Sequence, residues 1–110
     1  MDVFVVPRRA TAVTTFVPPL KPVEAMAVGL PLLVSDLPPL VEITQQGRFG
    51  DVATPQDPVA WAQAMAVLAS HPARRHALGA DAAQFVRRER TWEALAARYV
   101  EIYRLAAATE

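Results

Sequence analysis

Apolar residues occur in two regimes along the chain. In the first half they come as short unbroken runs, and in the second they recur at helical spacing. Val3-Phe4-Val5-Val6, bounded by Asp2 and Pro7, is β-branched and aromatic and reads as a buried strand. From Pro7 to Pro19 no period is sustained, and Arg8, Arg9, the threonines and the prolines predict an irregular loop. Such a loop is long for so small a domain, and long structureless connections are often functional. Prolines then crowd the entrance of a helix over about Leu20–Val28, where a missing N–H costs nothing. Gly29 stands where that helix should stop, and Leu32-Leu33-Val34 gives a second apolar strand. The result is a β-loop-α-β unit, which is parallel and right-handed almost without exception. Beyond it, Pro38–Ile43 predicts one or two helical turns, 45–50 a turn, and Asp51-Val52-Ala53 a third, short strand.

In the second half, Asp57-Pro58 is a strong helix start, an N-cap acid followed by proline. Trp61, Met65 and Leu68 place an apolar stripe at helical spacing as far as Ser70. Pro72 begins another helix, with Gly79 expected as a break or bend and Leu78, Ala82, Phe85 and Val86 as its stripe. Thr91 is a natural N-cap for a last helix, in which Trp92, Leu95, Ala96, Tyr99, Ile102 and Tyr103 share one face. The aromatic content of that face predicts firm docking, and both Trp61 and Trp92 read as core residues. These elements imply an α/β protein. We expect half of a Rossmann-like, doubly wound parallel sheet of about three strands followed by a helical segment. The chain then forms a single partial domain over 1–110, with a β/α part at 1–56 and a helical part at 57–110. Hydrophobic parallel strands belong in the middle of a sheet, yet residues 3–6 would lie on an edge unless something pairs with them. The pattern reads as the rear half of a larger domain.

Composition narrows the partners. The 110 residues are 53% apolar and 20% charged, enough for one modest core. Lys+Arg and Asp+Glu balance at 11 each, so no global field draws nucleic acid or an anionic membrane. There is no cysteine, hence no disulfide framework or thiolate chemistry, and His71 and His76 lack partners at metal-ligand spacing. No apolar run is long enough to span a bilayer, and Asp2 stands where a signal peptide needs cations. A cytoplasmic protein is the expectation.

Open α/β sheets bind ligands beyond the carboxyl ends of their strands, where loops lead into helix N-termini. The 7–19 loop and the start of the Leu20 helix occupy that place. Lys21 would put a positive charge beside the N–H groups of the first turn, which suits phosphate. Glu24, one turn deeper, suits two hydrogen bonds from vicinal hydroxyls, as on a ribose. Spacing alone fits an ordinary i, i+3 ion pair between Lys21 and Glu24 better. Arg8 and Arg9 lie in the same loop, within reach of a diphosphate or simply solvated.

The run from Lys21 to Pro31, with Val34-Ser35-Asp36 and Leu40-Val41-Glu42, resembles the signature of the glycosyl transferases group 1 family (family-four type). Asp2 to Pro7, Asp57-Pro58 and Thr91-Trp92-Glu93 extend the likeness over nearly the whole chain. The resemblance implies GT-B architecture and a retaining transfer of a sugar from a nucleotide-sugar donor, of UDP or GDP type, without a further cofactor. It also implies that this is the C-terminal, donor-side piece of such an enzyme, inactive alone. Its partner would be the missing N-terminal half or a second copy. Glu24 matches the second glutamate of the family's Glu-x7-Glu motif, which binds ribose. The first would fall at Phe16, and the glycine-rich turn between is Val17-Pro18-Pro19 here. A Pro-x-Lys-x-x-Glu variant matches Pro19, Lys21 and Glu24 instead, with Leu20 inside it. Ser35, Asp36 and Glu42 match family positions but read first as turn and cap residues. Two alternatives stay open: a non-catalytic remnant acting through its sheet edge, and a piece of another GT-B enzyme, an epimerase or sugar phosphorylase.

Overall fold

A computed structural model describes residues 1–108. Its centre is a three-stranded parallel sheet of β1 (Phe4–Val6), β2 (Leu32–Ser35) and β3 (Gly50–Ala53), in the spatial order β1-β2-β3. Phe4 pairs with Leu32 and Val6 with Val34, while Leu32 pairs with Gly50 and Ser35 with Ala53. The helices are α1 (Ala12–Phe16), α2 (Lys21–Ala27), α3 (Pro38–Ile43), α4 (Pro58–Ser70), α5 (Pro72–Glu89) and α6 (Trp92–Ala108). The α/β class and the parallel strands are those expected from the apolar runs.

Side-chain alternation along β2 divides the core. Leu32 and Val34 pack with Met26, Leu40, Phe49, Ala82 and Val86, whereas Leu33 turns to the other face, with Ala53, Trp61 and Leu68. All four β2 residues are buried, which is why this run carries no charge. Full burial of each of Leu32, Leu33 and Val34 contributes about 1.5–3 kcal/mol on transfer grounds. Trp61 is a core residue, as its stripe implied, and its indole N–H donates to the Thr54 carbonyl at 3.1 Å.

Helix α2 ends as its glycine predicts. Gly29 adopts φ +83°, its N–H donates to Met26 O at 3.0 Å, and Leu30 N–H donates to Ala25 O at 3.1 Å. These are the paired bonds of a Schellman cap.

Three expectations are corrected. The loop at 7–19 is not wholly irregular, because α1 forms within it. Thr11 caps that turn by accepting from Thr14 N–H at 3.1 Å, while the Thr14 hydroxyl accepts from Thr11 N–H at 2.9 Å. Gly79 does not break α5, which runs through it from Pro72 to Glu89. It is needed instead for close approach, since a Cβ there would lie 1.9 Å from the Gly29 carbonyl oxygen. Helix α6 does not dock firmly: none of its described residues is buried, and Trp92 is 85% exposed rather than in the core. Its stripe is long enough to specify a helix, but too little of the described chain faces it to cover it.

Candidate functional site at the strand tips

Three open cavities adjoin one another from the carboxyl ends of the strands to the far side of α2. The first, about 330 Å³, is lined by Pro7, Arg8 and Arg9 after β1, Ser35 at the end of β2, and Gln56, Asp57, Pro58 and Trp61 beyond β3. The second, about 540 Å³, runs along β1 and the entrance of α2, from Phe4 to Arg8 and from Pro19 to Pro22. The third, about 560 Å³, lies between α2, α3 and the start of α6. Arg8 lines the first two, and Pro19 and Leu20 line the second and third. All six residues singled out from the sequence therefore border this one series of cavities. Lys21 and Glu24 do not share a cavity: Lys21 lines the second and Glu24 the third.

The loop after β1 is held by a residue that sequence reasoning took for a turn former. Ser35 ends β2 fully buried; its hydroxyl accepts from Arg8 N–H at 2.7 Å and lies 2.9 Å from Arg8 O as donor. A hydroxyl both donates and accepts, so one atom ties both backbone groups of Arg8 to the sheet. The Arg8 side chain is thus carried on a fixed backbone, half-buried, while Arg9 beside it is exposed. Neither guanidinium forms an ion pair among the described residues. On the opposite wall Asp57 is already engaged, accepting from Ala60 N–H at 3.1 Å as the cap of α4. Gln56, just before it, has φ +60°, a left-handed conformation that turns the chain sharply into α4.

At α2 the backbone offers less to an anion than the prolines suggested. Leu20 O accepts from both Val23 N–H, at 3.1 Å, and Glu24 N–H, at 3.4 Å, and Pro22 has no N–H to give. Positive charge on that side therefore rests on the Lys21 ammonium. Lys21 and Glu24 are both exposed and form no ion pair with each other, so the i, i+3 pairing favoured by spacing is absent. Leu20 is 81% exposed. The Glu24 cavity is mostly apolar, with Pro39, Ile43, Trp92 and Leu95 around the carboxylates of Glu24 and Glu42 and the guanidinium of Arg90. The pattern of the last two helices gave no hint that Arg90 and Trp92 would line one cavity with α2, because spacing encodes only a helix's own face. Among the described residues no cluster of His, Asp or Glu could hold a metal ion, and no helix is long and apolar enough to cross a membrane.

Comparison with known proteins fits this arrangement. The family model for glycosyl transferases group 1 matches residues 1–71. A D-inositol 3-phosphate glycosyltransferase of Corynebacterium urealyticum is 36% identical over 81 residues, which are 74% of this chain and 19% of that protein. Sucrose-phosphate synthase from Thermosynechococcus elongatus superposes with a TM-score of 0.75 and 28% identity, over 99% of this chain and 26% of the synthase. The chain thus spans about a fifth to a quarter of the length of these relatives. Its Rossmann-like parallel sheet is of the GT-B kind. With the signature helix α2 and the first two cavities inside the matched region, the chain belongs to the glycosyl transferases group 1 family.

Proposed function

We propose that this chain is the donor-side, C-terminal part of a retaining glycosyltransferase, which moves a sugar from a UDP- or GDP-type nucleotide sugar to an acceptor. In this reading Glu24 accepts hydrogen bonds from the ribose hydroxyls, and Lys21, Arg8 and Arg9 face the diphosphate, with Pro19 and Leu20 as the apolar wall between. The observation that carries it is the series of adjoining cavities that has Arg8, Arg9 and Lys21 along its first two members and Glu24, beside Glu42 and Arg90, in the third. Spacing the charges in this way suits a ligand that is anionic at one end and a polyol at the other. The acceptor and the second wall of the cleft would come from the remainder of a longer enzyme or from a partner. Transfer requires both substrates to be held across a closing cleft. The isolated chain is therefore expected to be inactive and to bind nucleotide only weakly.

The test is a titration of the chain with UDP and GDP up to about 10 mM, followed by amide NMR, since weak binding of this order is only a few kcal/mol. Shifts confined to residues 8–9 and 20–24, and lost in Glu24→Ala, are expected. Shifts elsewhere, or unchanged by that substitution, would refute the assignment. Turnover of a sugar nucleotide by the chain alone would refute its inactivity.

A further inference from the structure

We infer that Ser35 is a positioning residue for the phosphate end of the ligand: its buried hydroxyl fixes the Arg8 backbone, so that the Arg8 guanidinium meets a diphosphate already ordered. The inference rests on Arg8 as a diphosphate contact and adds what holds it there. Along β1, Phe4 N–H donates to Pro31 O at 3.0 Å, and Val6 lies opposite Val34. Alternate residues of a strand address the same neighbour, so after Phe4 and Val6 the next N–H aimed at β2 is that of Arg8. In a continuing ladder its acceptor would be the Ser35 carbonyl, since two residues along β1 match two along β2. That carbonyl is taken: Leu37 N–H donates to it at 2.8 Å as the chain turns into α3. The Ser35 hydroxyl accepts from Arg8 N–H instead, at 2.7 Å. Its own proton lies nearer to Arg8 O, at 2.9 Å, than to Val6 O, at 3.3 Å. One side chain thus makes the last rung between β1 and β2.

The consequence is positional. A side-chain rung lets the chain leave the sheet at Arg8 with both polar backbone groups of that residue satisfied. Ser35 is fully buried, so water does not compete for these bonds. Among the charged residues described, Arg8 alone lines both strand-tip cavities, with Arg9 in one and Lys21 in the other. Arg9 offers the contrast. Its carbonyl accepts from the Thr14 hydroxyl at 2.5 Å, on the exposed surface where water does compete. An arginine on a fixed backbone has fewer conformations to lose when an anion binds, so more of its charge-assisted bonding appears as affinity. Removing the hydroxyl would free Arg8 N–H and O together and return that ordering to the binding step.

The experiment titrates the full chain with inorganic pyrophosphate and with UDP, to about 20 mM, and follows the amide and arginine Nε–H resonances by NMR. The variants are Ser35→Ala, Arg8→Ala, Arg9→Ala and the double substitution Ser35→Ala with Arg8→Ala. Ser35→Ala is expected to weaken pyrophosphate about three- to tenfold and to diminish the shift of the Arg8 Nε–H. In the double variant the loss should be no greater than in Arg8→Ala alone, because the hydroxyl then has no guanidinium left to position. A merely structural role would instead add its loss to that of Arg8→Ala. Arg8→Ala keeps both backbone groups that Ser35 binds, so it reports on the guanidinium with the loop intact, and Arg9→Ala should cost less. A parent that binds no pyrophosphate overturns the inference, as do an Arg8→Ala without effect, an Arg9→Ala loss exceeding it, or additive losses in the double variant. Glu24→Ala separates this from the ribose reading. It should weaken UDP but not pyrophosphate, and if UDP is unaffected the ribose assignment fails while the pyrophosphate results still decide the role of Ser35.

Discussion

Helices α5 and α6 follow one another and are nearly equal in length, 18 and 17 residues, yet the molecule treats them differently. Helix α5 buries Gly79, Ala82, Ala83 and Val86 against the sheet and α2. Helix α6 carries the larger apolar side chains, and none of its described residues is buried; Tyr99, Ile102 and Tyr103 are 57%, 56% and 70% exposed. Burial follows from the surface opposite, and α5 meets one that its small residues fit. Gly79 lets the end of α2 approach closely, with the Gly29 carbonyl where a Cβ would be, and the alanines keep the layer thin. The aromatic face of α6 meets only the apolar cavity at its amino end, through Trp92 and Leu95. An amphipathic stripe thus states that a helix forms; the small residues state where it packs.

The comparison breaks first at Gly79. Gly79→Val would drive a side chain into the Gly29 carbonyl, 1.9 Å from the first added carbon, and that obstacle is backbone rather than a flexible tip. The helices must part, and a loss of about 3 kcal/mol or more is expected. A urea midpoint that does not fall would show that α5 is not seated as described. Val86→Ala is the gentler version. It removes two methyl groups from the core formed with Val34, Phe49 and Ala82 and should cost about 1–2.5 kcal/mol by the same measurement.

Much of this architecture was legible in advance, for identifiable reasons. Uninterrupted apolar runs such as Leu32-Leu33-Val34 encode a strand covered on both faces, and Asp57-Pro58 encodes a helix start. Both signals are local. What the sequence left ambiguous was decided by contacts between distant residues. Gly79 reads as a break until Gly29, fifty positions away, is set against it. Ser35 reads as a turn residue until Arg8 is brought to its hydroxyl. The small helix α1 was signalled by Thr11 and Thr14, a capping pair without the usual acid or amide, and the pattern was missed for that reason. At the candidate site, the residue types that suit phosphate and ribose were visible. That Lys21 and Glu24 border neighbouring cavities rather than pair with each other depends on packing that no spacing rule contains.

The α6 side of the comparison is sharpened by substitutions with small expected effects. Tyr99→Ala removes a ring that stacks on Tyr103, centroids 6.5 Å apart, on an exposed face. Its cost to the stability of the chain should stay within about 0.5 kcal/mol, several times less than Val86→Ala. A larger loss in the urea midpoint would mean that α6 is packed on something after all.

Effects as small belong to the ion pairs that tie each helix to its neighbour. Arg74 joins α5 to β3 through a two-pronged contact with Asp51, 2.6 Å and 2.9 Å, and Arg98 joins α6 to α5 through Glu89. Both pairs are solvent-exposed, so each of Arg74→Ala and Arg98→Ala should cost about 0–1 kcal/mol, and less in molar salt. The Arg74 pair should be the stronger, because both oxygens of one carboxylate meet a planar fork. The hydrogen bonds that Arg74 donates to Asp51 raise its pKa above the ordinary value; burial works against them by less, and the charge of Asp51 adds a still smaller rise. A raised pKa on a cation gives stability that is complete below the ordinary value and lost only as pH climbs through the raised one. The difference between parent and Arg74→Ala should accordingly be the same at pH 6 and at pH 9, when both are unfolded in urea at low salt. A difference that shrank by pH 9 would show that a group other than the guanidinium controls this contact between α5 and the sheet.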